Sequence, residues 1–168
     1  PYKPVGAACK VGFFFRLHGL LIEWATMSFG SPAGKTILLT GGAGYIGSHT
    51  AVELLQEGYE VLIFDNFANA HRRVIRQIER LSNRPVQVVE GDVRDDEALA
   101  KLFTAHDVAG VVLFAGLKAV GESVAKPTLY YDVNLSGSLA LLQAMAEAGV
   151  GALIFSSSAT VYGTPDEM

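Results

Sequence analysis

The chain has 168 residues, of which 50% are apolar and 18% are charged, and it carries a net charge of −4. This length and composition predict one globular domain and exclude an intrinsically disordered chain. The negative charge provides no electrostatic basis for binding nucleic acid or an acidic membrane, so we expect neither as a partner. Cys9 is the only cysteine, which excludes an internal disulfide framework and fits a reducing compartment, so we expect a cytoplasmic protein.

Residues 1–34 differ from the rest of the chain. Their apolar stretch is interrupted by Arg16, His18 and Glu23, whereas a bilayer span needs about 20 mostly apolar residues. A signal peptide would require an uninterrupted apolar stretch and a clear cleavage site, and the sequence shows neither. An organelle-targeting segment is an alternative interpretation of these residues. We expect residues 1–34 to be an unstructured or non-native leader, with Met27 as the candidate natural start.

The first predicted unit is a strand, a loop and a helix. Thr36 to Thr40 is a short apolar run that ends at a glycine, which is typical of a buried strand. A helical pattern over residues 46–57 then stops at Gly58. A second buried strand, residues 60–64, follows and ends at Asp65.

The rest of the chain repeats this alternation. Residues 71–81 predict a basic amphipathic helix, and one face of it carries Val74, Ile75, Ile78 and Leu81. The elements predicted after it are a strand at 86–89, a helix at 95–105, a strand at 109–114, a helix at 127–148 and a strand at 152–155. This order predicts the α/β class, with a doubly wound parallel sheet that ends after the fifth strand and a ligand crevice at the carboxyl ends of the strands.

A glycine-rich loop, Gly41 to Gly47, separates the first predicted strand from the first predicted helix. It contains GxGxxG counted from Gly42 and GxxGxxG counted from Gly41. Glycines at these positions allow a tight turn, close approach of the backbone to a pyrophosphate, and close packing of the helix on its strand. The free amides at a helix N-terminus also favour an anion. The loop therefore predicts dinucleotide binding, and a simple tight turn is the alternative.

Two aspartates follow the next predicted strands. Asp65 lies 18 positions after Gly47, where an acidic side chain typically accepts hydrogen bonds from the adenosine ribose. A carboxylate there would repel a 2′-phosphate, so the sequence favours NAD over NADP. Asp92 follows the third strand and is either a ligand of the adenine amino group or an ordinary turn residue.

Three further segments are FAGLKAVGES at 114–123, YYDVN at 130–134 and FSSSATVYG at 155–163. Together with residues 40–49 they resemble the UDP-galactose 4-epimerase (UDP-glucose 4-epimerase) family of short-chain dehydrogenases/reductases, over residues 35–165. The resemblance implies a Rossmann-type NAD-binding domain, a UDP-hexose substrate and a homodimer. It also implies an isomerase of galactose metabolism that interconverts UDP-galactose and UDP-glucose by transient NAD-dependent oxidation at C4 of the hexose.

The resemblance implies roles for individual residues. The pyrophosphate would lie against Gly41, Gly44, Tyr45, Ile46 and Gly47. The adenosine would contact Asp65, Asn66, Asn69, Asp92 and Val93. The segment from Phe114 to Lys118 would line the cofactor, and the remaining predicted contacts are Phe114, Ala115, Gly116, Lys118 and Ser156. Ser158 is the predicted catalytic residue, which would hydrogen-bond the reacting sugar hydroxyl and assist proton transfer, and Asn134 would position its helix.

The sequence departs from the family at the general base, a tyrosine four residues before a lysine. None of the six tyrosines has a lysine four positions later, and the resemblance covers about the first half of the family's length. We therefore expect residues 35–168 to be a partial NAD-binding domain that lacks the C-terminal substrate domain and is catalytically incomplete. Two alternatives are another NAD-dependent nucleotide-sugar epimerase or dehydratase and a non-catalytic NAD-binding module. Ser158, which serves catalysis and not cofactor binding, favours an epimerase over the non-catalytic module.

Overall fold

A computed structural model describes Pro32 and residues 34–157. The predicted leader, apart from its Pro32 and Gly34, and the segment from Ser158 onward therefore lie outside the described residues. The strands are β1 (Thr36–Thr40), β2 (Glu60–Asp65), β3 (Gln87–Glu90), β4 (Val108–Leu113) and β5 (Leu153–Phe155). The helices are α1 (Tyr45–Gln56), α2 (Arg73–Ser82), α3 (Asp96–Ala105), α4 (Val120–Ala125), α5 (Pro127–Tyr131) and α6 (Gly137–Ala148). The predicted alternation is confirmed, and each predicted bound lies within two residues of the observed one.

The five strands form one parallel sheet in the order β3-β2-β1-β4-β5. Leu38 in the central strand pairs with Leu62 on one side and Val111 on the other. This order confirms the predicted doubly wound, Rossmann-like sheet. The chain runs outward from β1 to β3 and then returns to β4, and open α/β sheets bind ligands at such a reversal.

The core has two layers because successive strand residues point to opposite faces of the sheet. Ile37 and Leu39 pack on one face with buried residues of α1 and α2. Leu38 packs on the other face with buried residues of α3 and α6. Covering both faces explains why β1, β2 and β4 are apolar and buried along most of their length. Within the described part of the chain, no helix has the length and hydropathy that a bilayer span requires.

Two local predictions need correction. The helix predicted over residues 127–148 is not uniform, because a π-helical turn at Asp132–Ser136 separates α5 from α6. The helical pattern places Leu81 on the buried face of α2, but Leu81 is 64% exposed. The buried residues of α2 are Ile78 and Ser82, so Leu81 lies at the margin of the buried face. The Ser82 hydroxyl donates a hydrogen bond to the Ile78 carbonyl. The short helix α4 was not predicted.

Candidate functional site

A cavity of about 570 Å³ opens at the carboxyl edge of the sheet. Its walls are the glycine loop, the ends of β2 and β3, the loop after β4 and the start of the long helical segment, which comprises α5, the π-helical turn and α6. This size lies within the range typical of cofactor sites. The predicted site residues that line it are Gly41, Gly44, Tyr45, Ile46, Gly47, Asp65, Asn66, Asn69, Asp92, Val93, Phe114, Ala115, Gly116 and Lys118.

Two predicted site residues are not among those lining residues. The amide of Ser156 donates to the Leu113 carbonyl and so extends the pairing of β5 with β4, but Ser156 does not line the cavity within the described part of the chain. Ser158 lies outside the described residues. Leu117, inside the predicted segment from Phe114 to Lys118, also lines the cavity. The lining residues that sequence reasoning missed are Phe64, Ala68, Ala70, Gly91, Arg94, Glu122, Leu129 and Val133. Most of them flank a predicted residue, and that proximity was the available signal.

The glycine loop is shaped by close backbone contacts. Gly41 has a φ of +68°, and a Cβ at this position would lie 2.6 Å from the amide nitrogen of Ala115. A Cβ at Gly47 would lie 2.7 Å from the carbonyl oxygen of Gly41. Any larger residue would therefore push the loop away from the end of β4 or push α1 away from the loop.

Gly44 is constrained differently. Apart from its chain neighbours, a Cβ there would meet one atom of the described residues within 4 Å, the Gly41 carbonyl oxygen at 3.2 Å, so these residues leave space on this side of the loop. Gly44 precedes α1, whose first turn contains no acidic residue. The first amides of a helix have no acceptor within the helix and carry the positive end of its dipole. The loop is thus open to an anion, as a pyrophosphate site requires.

Asp65 connects the glycine loop to the end of β2. Its side chain is buried, with 8% of the residue exposed. One carboxylate oxygen accepts a hydrogen bond from the amide of Ala43 at 2.9 Å, and the other accepts from the amide of Phe67 at 2.8 Å. Each carboxylate oxygen has two acceptor positions, so one on each oxygen remains for donors such as ribose hydroxyls.

Asp92 is the most heavily hydrogen-bonded carboxylate of the described cavity wall. Its Oδ1 accepts from the amide and the Nε of Arg94, at 3.0 and 2.9 Å. Its Oδ2 accepts from Nη2 of Arg94 at 2.8 Å and from the side-chain amide of Asn66 at 3.0 Å. The hydrogen bond from the Arg94 side chain holds the pKa of the Asp92 carboxyl well below its ordinary value of 3.8.

These four donors fill the roughly four acceptor positions of one carboxylate. A ligand amino group that binds Asp92 must therefore replace one of them. The Asn66 amide is neutral and exposed, whereas the Arg94 guanidinium carries a charge opposite to that of Asp92, so Asn66 is the side-chain donor most easily displaced.

The loop after β4 is held by the π-helical turn. Asn134 accepts a hydrogen bond from the Leu117 amide at 2.7 Å and donates one to the Leu117 carbonyl at 2.9 Å. A Cβ at the neighbouring Gly116 would lie 3.1 Å from the same side-chain oxygen. Asn134 thus ties this wall of the cavity to the π-helical turn. Single π-turns within helices are frequent at functional sites.

Two charged residues complete this side of the cavity. Lys118 is exposed and offers a cation at the rim. Glu122 accepts hydrogen bonds from Lys126 and Tyr130, and the Lys126 ammonium lowers the pKa of Glu122.

Among the described residues no group of three histidine, cysteine, aspartate or glutamate side chains is arranged to bind a metal. The site therefore offers backbone amides, a cation and carboxylate acceptors, a set that suits a dinucleotide.

Comparison with known proteins agrees with this geometry. Residues 37–168 match the model of the NAD dependent epimerase/dehydratase family. A UDP-glucose 4-epimerase from Klebsiella pneumoniae is 55% identical over 127 residues, which are 76% of this chain and 91% of that protein. A UDP-glucose 4-epimerase from Neisseria gonorrhoeae is 50% identical over 133 residues, which are 79% of this chain and 39% of that protein.

A solved structure shows the same relationship. The UDP-glucose 4-epimerase from Bifidobacterium longum, in complex with NAD+ and UDP, superposes with a TM-score of 0.76 at 49% identity. The match covers 80% of this chain and 40% of that one. The chain thus spans most of the Klebsiella relative but about two fifths of the other two proteins. Because the family model matches more than half of its residues, the chain belongs to the NAD dependent epimerase/dehydratase family.

Proposed function

We propose that this chain is the NAD-binding part of a UDP-glucose 4-epimerase. The observation that carries the proposal is that four segments far apart in sequence meet around one cavity: the Gly41–Gly47 loop, the ends of β2 and β3, and the loop after β4. Relatives with this name, and a solved one that holds NAD+ and UDP, are identical to it at about half of the aligned residues.

When bound, NAD would supply the reversible oxidation of the sugar. The chain's own residues bind and orient the cofactor. The glycine loop and the amides of α1 would hold the pyrophosphate, since Gly44 leaves space there. Asp65 would accept hydrogen bonds from the adenosine ribose, which favours NAD over NADP. Phe114 to Lys118 would form the wall beside the rest of the cofactor.

A titration of the chain with NAD tests this proposal. Gly44→Ala places a methyl group in the open side of the loop and is expected to weaken NAD binding by roughly tenfold or more, because the backbone can no longer approach the pyrophosphate. Gly151→Ala is the matched control, since no heavy atom of the described residues beyond its chain neighbours lies within 4 Å of its added Cβ. It also lies before β5, at the opposite end of the strand from the cavity. No NAD binding by the unchanged chain, or equal binding by both variants, would contradict the proposal.

We further propose that Ser158 hydrogen-bonds the reacting hydroxyl of a UDP-hexose. β5 ends at Phe155 beside β4, and the loop after β4 lines the cavity, so Ser158 follows a strand that ends at the same edge of the sheet. Ser158→Ala in the complete protein is expected to lower kcat about 100-fold, with a smaller change in KM. Turnover of UDP-galactose by the 168-residue chain alone would show that the base does not require a tyrosine and lysine pair.

We also propose that the complete enzyme is a cytoplasmic homodimer of galactose metabolism. An apolar stripe along the long helical segment supports the dimer: Tyr131, Leu135, Leu139 and Leu142 are 70, 54, 58 and 44% exposed. Light scattering on the complete protein should report a dimer that Leu139→Glu dissociates. The matched control is Leu81→Glu, at an exposed leucine of α2. A monomeric unchanged protein would contradict the proposed assembly, and imaging of a tagged protein tests its compartment.

A further inference from the structure

Arg94 binds two carboxylates that belong to different elements of the cavity wall. Its Nε and Nη2 donate to Asp92, in the turn after β3. Its Nη1 donates to Asp132 at 2.6 Å, in the π-helical turn 38 residues away along the chain. A guanidinium suits this bridge, because its planar fork bonds one carboxylate with two N–H groups while a third remains for another acceptor.

Close packing accompanies this bridge. A Cβ at Gly137, the first residue of α6, would lie 2.7 Å from Cγ2 of Val93 and 3.5 Å from Cγ of Arg94. The helix therefore approaches the Asp92–Arg94 turn as closely as a glycine permits. Asn134, two residues after Asp132, holds both the amide and the carbonyl of Leu117. A continuous path of contacts thus runs from the turn after β3, through Arg94 and the π-helical turn, to the loop after β4.

The two ends of this path contact different parts of the same cavity. Asp92 and Val93 line it at the end of β3, and Gly116, Leu117 and Lys118 line it after β4. The sheet alone does not hold either segment in place, because both lie beyond the last paired residues of their strands. A residue that joins them sets the distance between the two walls.

We propose that Arg94 is a positioning residue of the cofactor site, which through Asp132 and Asn134 holds the two walls of the cavity at one spacing. This inference rests on the proposed function, since it takes NAD to be the molecule that fills the cavity. Arg94 itself lines the cavity, and it also acts on the site through Asp92 and through the path of contacts to Leu117. Its removal therefore weakens NAD binding and releases the loop after β4 together.

The experiment compares the full chain with three variants. Arg94→Met removes the cation and keeps an unbranched side chain. Asp132→Ala breaks the bridge to the helix, keeps the Arg94–Asp92 pair and favours the helix. Arg84→Met is the matched control, because Arg84 also joins two segments, through Glu60 and the Leu55 carbonyl, with a side chain 31% exposed against 36% for Arg94. Arg84 does not line the cavity.

Two quantities are measured for each protein: the dissociation constant of NAD, and the hydrogen exchange rate of the Leu117 amide by NMR in the absence of NAD. Arg94→Met and Asp132→Ala are each expected to raise both by roughly tenfold, as loss of a charge-assisted hydrogen bond would. Arg84→Met is expected to leave both within about twofold, as for a pair remote from the site.

Two results would overturn the inference. One is unchanged Leu117 exchange in Asp132→Ala, which would show that the bridge does not hold the loop. The other is an equal effect of Arg84→Met, which would show that general destabilisation explains the loss. If the unchanged chain fails to bind NAD, the proposed function fails, and the exchange rates still decide whether Arg94 holds the loop after β4.

Discussion

Replacing Gly41 by alanine tests how tightly the glycine loop is held against the end of β4. Gly41 has a φ of +68°, and an added Cβ would lie 2.6 Å from the Ala115 nitrogen and 2.8 Å from its Cα. A left-handed backbone costs a residue with a Cβ about 1–2 kcal/mol. Insertion of a methyl group into a packed region costs about 1–3 kcal/mol more. The free energy of unfolding should therefore fall by about 2–5 kcal/mol, out of the roughly 5–15 kcal/mol of a typical domain.

The chain contains a matched control for the backbone part of this cost. Gly149, which ends α6, has a φ of +71°, and in the described part of the chain no heavy atom beyond its chain neighbours lies within 4 Å of its added Cβ. Gly149→Ala should therefore lose only the left-handed penalty of about 1–2 kcal/mol. The difference between the two variants measures the overlap of residue 41 with Ala115.

The assay is urea unfolding followed by circular dichroism, with the slope compared between variants to check that the transition is unchanged. NAD titration of the folded variants is the second measurement. Gly41→Ala should weaken NAD binding because the loop must move away from Ala115, whereas Gly149→Ala should not. Equal losses of stability in the two variants would refute the reasoning, since they would show that the loop moves aside without cost.

Three further predictions concern the cofactor and the fold. Asp65→Ala should reduce the preference for NAD over NADP in parallel titrations, and tighter NADP binding by the unchanged chain would show that Asp65 does not face the ribose. The pKa of Asp92 is lowered from 3.8 by Arg94. Its stabilising contribution should therefore be complete above about pH 3.8 and should disappear as the pH falls through the folded-state pKa. The stability difference between the chain and Asp92→Asn in urea should accordingly shrink in acid, and a difference that does not change with pH would contradict this. A chain that begins at Met27 should bind NAD as tightly as the whole chain, and weaker binding would show that the preceding residues contribute.

The sequence alone determined the class of the fold and most of the cavity wall. Apolar runs of strand length alternate with helical patterns, and right-handed crossovers leave few arrangements for such an order. The spacing of Gly41 to Gly47 and the position of Asp65 follow from local geometry at the first and second strand ends. These features depend on residues close in sequence, so their patterns can be read without the structure.

Tertiary structure alone decided which distant residues meet. The bonds of Arg94 to Asp132 and of Asn134 to Leu117 span 38 and 17 residues, and no periodicity in the sequence predicts them. They exist because Gly137 lets the long helix lie against Val93, which places the π-helical turn beside two strand ends at once. The exposure of Leu81 has the same kind of cause, since the helical pattern indicates an apolar face but packing on the sheet sets which part of that face is buried.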